Sequence, residues 1–198
     1  MDRKTVTAEL RSKFYPLLLA EGFSRKGDIL RRELDGPVMH VVEVQHRPRS
    51  GVFQVNLGAH LPALGDVAGG TRVPVEQMRE YDCAWRSSVV SGFRNSSDSE
   101  FAYGSTEEEA SESVAFLVSE WARQSSEFFS PLSRFPESFH DGASSSVDSG
   151  MHPAHLLTWA RVADILGDTA LRARIVEAAL PTVPERATSL REQLLELR

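Results

Sequence analysis

The feature that most constrains the fold is the regular alternation of apolar and polar residues from 52 to 61. The apolar positions are Phe53, Val55, Leu57, Ala59 and Leu61, and the polar positions between them include Gln54, Asn56 and His60. Because successive side chains of a strand point to opposite faces, this period of two predicts a strand. It indicates a sheet with one buried face and one partly polar face.

Two earlier segments have the pattern of neighbouring strands. Residues 29–34 and 38–47 are separated by Asp35-Gly36-Pro37, and Pro48-Arg49-Ser50-Gly51 precedes the alternating segment. Both breaks consist of turn-forming residues, which connect antiparallel neighbours. With a further candidate strand at 81–90, the pattern predicts an antiparallel sheet of about four strands.

Two segments have the spacing of amphipathic helices. The first covers residues 5–21, and Pro16 within it predicts a bend or two shorter segments. Its apolar face consists of Leu10, Phe14, Leu17 and Leu18. The second begins at Thr106, which forms a capping box with Glu109, and extends to about Phe129. We expect it to pack on one face of the sheet.

The helices and the sheet together predict an α+β domain over residues 1–136. We interpret residues 137–150 as a Ser-rich linker, because Ser144-Ser145-Ser146 and Asp148-Ser149-Gly150 interrupt the apolar pattern. Residues 151–198 have helical spacing throughout and predict a helical C-terminal appendage.

Composition excludes several classes of protein. The 198 residues are 41% hydrophobic and 25% charged, which is average for a globular chain and excludes a coiled-coil rod, a collagen and wholesale disorder. Cys83 is the only cysteine, so a disulfide scaffold is excluded as well. Because no secretory signal or membrane-spanning segment is recognised, we expect a cytoplasmic protein.

Charge is distributed unevenly along the chain. The total of 22 basic and 28 acidic residues gives a net charge of −6. Residues 1–49 are net +3, whereas residues 50–198 are net −9. This asymmetry favours a basic protein partner for the acidic part of the chain. It leaves the oligomeric state open.

The polar face of the predicted sheet is the first candidate ligand-binding surface. Arg31, Glu43, Gln45, Asn56 and His60 fall on it, and polar groups on a rigid sheet can hold a ligand. The alternative is an ordinary solvated face, which antiparallel sheets commonly have. The pattern assigns no catalytic residue.

Other motifs give no support for a metal, a cofactor or a nucleophile. The spacing of His152 and His155 matches no standard zinc signature. The glycines of residues 65–70 are not followed by the lysine of a phosphate-binding loop. Asp82 beside Cys83 disfavours a reactive thiolate. We therefore expect no metal site and no cofactor.

A local basic cluster is formed by Arg25, Lys26, Arg31 and Arg32. Phosphate-binding surfaces need such a density of positive charge, so a nucleic-acid binder is an alternative. The aromatic residues that a single-strand binder interleaves with its cations are missing, and the rest of the chain is acidic. Nucleic acid is therefore not the partner that we expect.

Several short motifs are similar to those of a known family. They are Leu18-Leu19-Ala20-Glu21-Gly22-Phe23, Ser24-Arg25-Lys26-Gly27, Leu30-Arg31-Arg32, Phe53-Gln54-Val55-Asn56-Leu57-Gly58 and Cys83-Ala84-Trp85-Arg86. Over about residues 5–136 the chain resembles the bacterial domain of unknown function family 4304. The resemblance implies a layout of helix, sheet and helix and assigns no activity. Ala84 stands where that family often has His, which argues against a catalytic His there.

The lack of a catalytic motif favours a non-catalytic binding or protein-interaction module. Toxin-immunity proteins provide an analogy, because small acidic α+β proteins can neutralise basic toxins electrostatically. The alternative is a hydrolase-type enzyme that uses His60 with Gln45 and Asn56 in a cleft of the sheet face. A deep cleft around these three residues would favour the enzyme.

Overall fold

The computed structural model describes residues 3–65, 73–92 and 98–198, and an antiparallel sheet lies at the centre of this part of the chain. The strands are β1 (Ser24–Lys26), β2 (Ile29–Glu33), β3 (Met39–Arg47), β4 (Val52–His60), β5 (Trp85–Ser88) and β6 (Phe101–Ala102). They lie in the order β1-β2-β3-β4-β5, and β6 pairs with β4 on the side that carries β5. The α+β fold class is confirmed. The sheet has more strands than predicted because β1 and β6 are too short to show a period of two.

The register of β3 and β4 confirms the predicted alternation. Val44 lies opposite Val55 and Val42 opposite Leu57, and all four side chains are buried on one face. Glu43 lies opposite Asn56 on the other face. The two faces therefore differ in chemistry as the sequence predicts.

Helices at both ends of the family-like region cover the apolar face. They are α1 (Arg3–Glu9), a π-helical turn (Leu10–Phe14), α2 (Tyr15–Ala20) and α3 (Glu107–Phe129). Trp121 of α3 is 1% exposed and packs edge-on against Phe14, with ring centroids 5.1 Å apart. Thr106 caps α3 as predicted, because its hydroxyl accepts a bond of 3.2 Å from the Glu109 amide.

Pro16 is accommodated by the π-helical turn and does not break the helix. A proline inside a helix has no amide N–H to donate, and its ring crowds the carbonyl of the preceding turn. The wider π-helical turn at Leu10–Phe14 lies directly before it. The chain forms two short α-helical segments, α1 and α2, joined by the π-helical turn, in agreement with the prediction of a bend or two shorter segments.

The C-terminal part consists of α4 (Glu137–Ser146), α5 (Pro153–Ile165), α6 (Thr169–Ala179) and α7 (Thr188–Glu196). Helix α4 lies within residues 137–150, where the sequence predicts a linker. Phe139 and Ala143 are completely buried in it, since their spacing places both on one helical face. The C-terminal helices share a hydrophobic core with Ala59 and Leu61, at the end of β4. They therefore pack on the α+β part of the chain.

Residues 73–83, which we call the cover segment, lie over the polar face of the sheet. The segment contains short 3₁₀ turns at Val75–Gln77 and Glu80–Asp82. Met78 and Cys83 are buried against Met39 and Val41 of β3. The predicted strand at 81–90 is shortened to β5 because its first residues belong to this segment.

Candidate functional site

The cover segment supplies an ion-pair partner for Glu43 on the polar face of the sheet. The Glu43 side chain is only 7% exposed. Arg79 donates from Nε to Glu43 Oε2 over 3.2 Å and from Nη2 to Oε1. The hydrogen bond to Glu43 raises the pKa of Arg79. The charge of Glu43 is therefore compensated within the fold.

Arg31 holds the cover segment onto the sheet. Its Nε donates to the backbone oxygen of Met78 over 2.7 Å. Burial lowers the pKa of Arg31, while the neighbouring Glu43 raises it. Arg31 therefore has a structural contact in the folded chain and lies beside the Glu43–Arg79 pair.

Gln45 and Asn56 form a short polar ladder with β5. Asn56 Nδ2 donates to Gln45 Oε1 over 3.4 Å, and Ser88 Oγ donates to Asn56 Oδ1 over 2.8 Å. These contacts connect β3, β4 and β5 at the level of their side chains.

His60 lies apart from that ladder. It is 1% exposed and lines a cavity of about 270 Å³ with Met78 and Asp82. It follows Asn56 by four positions in β4, which is about 13 Å along an extended strand. The structure therefore does not bring His60, Gln45 and Asn56 into one cleft.

Cys83 is a packed residue of the cover segment. It is 2% exposed, and its Sγ donates to the Arg79 backbone oxygen over 3.4 Å. Burial raises the pKa of the Cys83 thiol, and Glu80 and Asp82 raise it further. The thiol therefore stays protonated at neutral pH and does not have the character of a nucleophile.

The histidines after residue 139 form no metal site. His152 Nδ1 accepts a bond of 3.3 Å from the Ala154 amide and so caps α5. His140 Nε2 lies 3.4 Å from Asp168, at the start of α6. Within the described residues no group of three or more His, Cys, Asp or Glu side chains could hold a metal ion. The glycines of residues 66–70 lie outside the described residues.

Three members of the basic cluster predicted from the sequence, Arg25, Lys26 and Arg31, line one pocket, whereas Arg32 does not. Arg31 points to the cover segment, and Arg32 stacks on Phe23 with 4.4 Å between its guanidinium carbon and the ring centroid. Arg32 also donates to the Glu21 backbone oxygen over 2.8 Å. Only Arg25 and Lys26 of the cluster remain exposed.

A groove of about 500 Å³ lies between β5, the end of α3 and the C-terminal helices. We call it the β5 groove. Its apolar lining is formed by Trp85, Phe128, Pro131, Leu132 and Trp159, and its polar lining by Arg86, Glu127 and His155. The centroid of the Trp85 ring system is 5.1 Å from that of Trp159. The sequence signal for this groove is the Cys-x-Trp-Arg motif, whose Trp and Arg both line it.

The outer edge of β5 is partly open. The Val89 amide donates to β4 over 2.8 Å, so alternate residues Arg86 and Ser88 direct their backbone groups away from β4. The Gln124 side chain closes the edge at Val90, where it accepts from the amide over 2.7 Å and donates to the carbonyl over 2.8 Å. The open section therefore lies beside the β5 groove.

Comparison with known proteins gives one match. Residues 14–130 match the family model described as domain of unknown function DUF4304. This range includes the sheet, α3 and the Cys-x-Trp-Arg motif, and it stops before α4. No curated protein and no solved structure matches the chain. Among the described helices, none has both the length and the apolar character that crossing a membrane requires.

Proposed function

The chain belongs to the DUF4304 family of domains of unknown function, and from this premise we propose that it is a non-catalytic module that binds a partner protein. The observation that carries the proposal is the open edge of β5 beside an apolar groove. An edge strand with exposed backbone groups is a template for pairing with another chain.

The proposed mode of binding is addition of a short extended segment of the partner to β5. The segment hydrogen-bonds to the backbone of Arg86 and Ser88 and places an apolar side chain between Trp85 and Phe128. In strand addition the main-chain bonds supply affinity, and side-chain pockets supply specificity. Gln124 limits the pairing to this short section, because it occupies the next outward-facing backbone groups.

Charge supports a basic partner. Arg86 is neutralised by Glu80, whose Oε1 accepts from Arg86 Nε over 2.5 Å. Glu127 at the rim pairs with Arg123 of its own helix, at 3.1 Å, and both side chains are more than half exposed. Such an exposed pair contributes little, so a cationic side chain of the partner can replace Arg123. An immunity-like role is the version in which this partner is a basic toxin.

The hydrolase alternative has less support. A general base needs its reacting groups within hydrogen-bond reach. His60 lies about 13 Å along β4 from Asn56, and Gln45 and Asn56 bond to each other and to Ser88.

The test is selection of random extended peptides on the immobilised full chain, followed by affinity measurements with two variants. Ser88→Pro removes an outward-facing amide and no ladder bond to β4, because proline is tolerated at such edge positions. Ser88→Ala is the matched control, since it loses the same hydroxyl and keeps the amide. We expect selected peptides with an apolar residue flanked by Lys or Arg, and an affinity about tenfold weaker for Ser88→Pro than for Ser88→Ala.

Two further measurements separate the groove from the strand edge. Phe128→Ser is expected to weaken the same peptides by shortening the apolar wall, and Glu127→Gln to lower the preference for basic residues. Circular dichroism checks that each variant is folded. Peptides that bind Ser88→Pro and Phe128→Ser as tightly as the unsubstituted chain would refute the proposed site.

A further inference from the structure

A second pocket, independent of the β5 groove, lies between the N-terminal helix and the turn that joins β1 and β2. Its volume is about 620 Å³. Arg3, Lys4 and Arg11 line it from the helix, and Arg25 and Asp28 line it from the turn. We call this site the basic pocket. It is not the predicted basic cluster, because only Arg25 is common to both.

Cations outnumber carboxylates in the described lining of the basic pocket. Asp28 is the one carboxylate among these described residues and is already engaged, since it accepts from Arg3 over 2.6 Å and from the Tyr15 hydroxyl over 3.1 Å. Glu9, a carboxylate of the same helix, pairs with Lys13 at 2.7 Å. Within the described lining, Arg11 and Arg25 are therefore cations that form no ion pair.

Arg25 is held in place for a ligand. Its guanidinium carbon lies 3.8 Å from the centroid of the Tyr15 ring, and its Nε donates to the Gly27 backbone oxygen over 2.8 Å. These contacts fix the plane of the guanidinium, and its two terminal nitrogens form no hydrogen bond to another described residue. Arg11 forms no ion pair within the part of the chain that the structure describes, and its side chain is exposed at the opposite wall.

We propose that the basic pocket binds a phosphate-bearing small molecule of about mononucleotide size. Arginine side chains recognise phosphate oxygens through paired charge-assisted hydrogen bonds. The pocket volume lies within the usual range of about 300–1,000 Å³ for small-molecule sites. A dianionic phosphate offsets the charges of Arg11 and Arg25, which form no ion pair within the described residues.

The surroundings favour a small ligand over a nucleic-acid strand. Lys13 Nζ donates to Ser111 Oγ over 2.5 Å, which holds the first turns of α3 beside the N-terminal helix. Those turns carry Glu107, Glu108, Glu109 and Glu112. A phosphodiester chain that extends from the pocket towards the start of α3 is repelled by these glutamates, whereas a ligand confined to the pocket is not.

The test is isothermal titration of the full chain with inorganic pyrophosphate at low salt. The double variant Arg11→Gln/Arg25→Gln removes two cations from opposite walls. Arg49→Gln is the matched control for a single charge, because Arg49 is exposed in the turn before β4 and outside the pocket. We expect saturable binding of pyrophosphate. Its affinity should fall about tenfold for each of the two pocket arginines substituted in the double variant, and less than about twofold for Arg49→Gln.

A second measurement does not depend on the variants. In the unsubstituted chain, pyrophosphate should shift the NMR signals of the Arg11 and Arg25 Nε groups and leave those of Arg86 unchanged. Absence of saturable binding at millimolar pyrophosphate would overturn the proposal, as would equal weakening by Arg49→Gln. Tighter binding of a duplex oligonucleotide, with a salt dependence of several charges, would replace the small ligand with nucleic acid.

Discussion

Protonation of His40 should destabilise the fold as the pH falls below neutrality. His40 is completely buried and stacks on Phe129, with ring centroids 4.2 Å apart. Arg32 donates to its Nδ1 over 3.0 Å, and its Nε2 donates to the Leu132 backbone oxygen over 2.9 Å. This arrangement needs a neutral ring, because a proton on Nδ1 would remove the Arg32 bond and place two cations side by side.

The size of the effect follows from the pKa. Burial is the main cause that lowers the pKa of His40 from 6.5 to about 4, and Arg32 lowers it further. Between these values the unfolded chain binds more protons than the folded chain, so stability rises with pH. The contribution is complete above pH 6.5 and is lost as the pH falls to about 4. The total loss is about 3 kcal/mol, at about 1.4 kcal/mol for each pH unit.

The assay is urea unfolding across this pH range for the unsubstituted chain and His40→Gln. Glutamine has one donor and one acceptor for the same two partners, but it does not titrate. The variant should be less stable at neutral pH, and the difference should shrink by about 3 kcal/mol towards pH 4. The control, exposed His155→Gln, should keep the pH dependence of the unsubstituted chain.

An NMR titration of the His40 ring gives the same quantity without a substitution. A midpoint near 6.5 would refute the reasoning, and so would an unchanged pH dependence in His40→Gln. Either result would mean that the buried ring accepts a second proton as readily as it does in the unfolded chain.

Three further predictions concern close packing. Gly58→Ala places a Cβ 2.6 Å from Cys83 Sγ and should lower the free energy of unfolding by about 1–3 kcal/mol. Adding Cys83→Ala should recover part of that loss in a double-mutant cycle, and additive effects would contradict the contact. Cys83 should react with a disulfide reagent only as fast as the chain opens, and immediate reaction of the native protein would disagree with its burial. Gly142→Ala drives a Cβ into the Trp159 ring, so thermal stability and tryptophan emission should both change, while exposed Ser145→Ala in the same helix should change neither.

Local patterns were sufficient to predict the elements whose signal lies within one segment. The alternation around Val55 identifies β4 and its buried face, and Thr106 with Glu109 identifies the start of α3. The sequence does not indicate helix α4, because its serines suggest a loop. Ser138 and Ser146 are nevertheless buried. The Ser138 Oγ donates to the Arg134 backbone oxygen, and the Ser146 Oγ donates to that of Ala143. Such bonds satisfy the hydroxyl without water.

Contacts between distant segments account for what the sequence did not indicate. The basic pocket depends on Arg3 and Arg25, which are brought together by packing of the N-terminal helix beside a hairpin turn. The β5 groove depends on Trp85, which lies within the family match, and on Trp159, which lies beyond its end. The periodicity of a single segment does not predict such contacts, because they form only when distant segments pack together.

A polar strand face does not by itself indicate a ligand surface. In this chain Glu43 accepts a hydrogen bond from Arg79, and Arg31 donates one to the Met78 carbonyl. The polar residues of β2 and β3 therefore hold the cover segment on the sheet. The charge of Glu43 is compensated inside the fold, and a ligand would have to displace Arg79 of the cover segment to reach it. The surfaces where pairing is incomplete among the described residues are the β5 edge, which has outward-facing backbone groups, and the basic pocket, where Arg11 and Arg25 form no ion pair. Because incomplete pairing is what a partner can satisfy, recognition is better supported at these two surfaces than on the polar face.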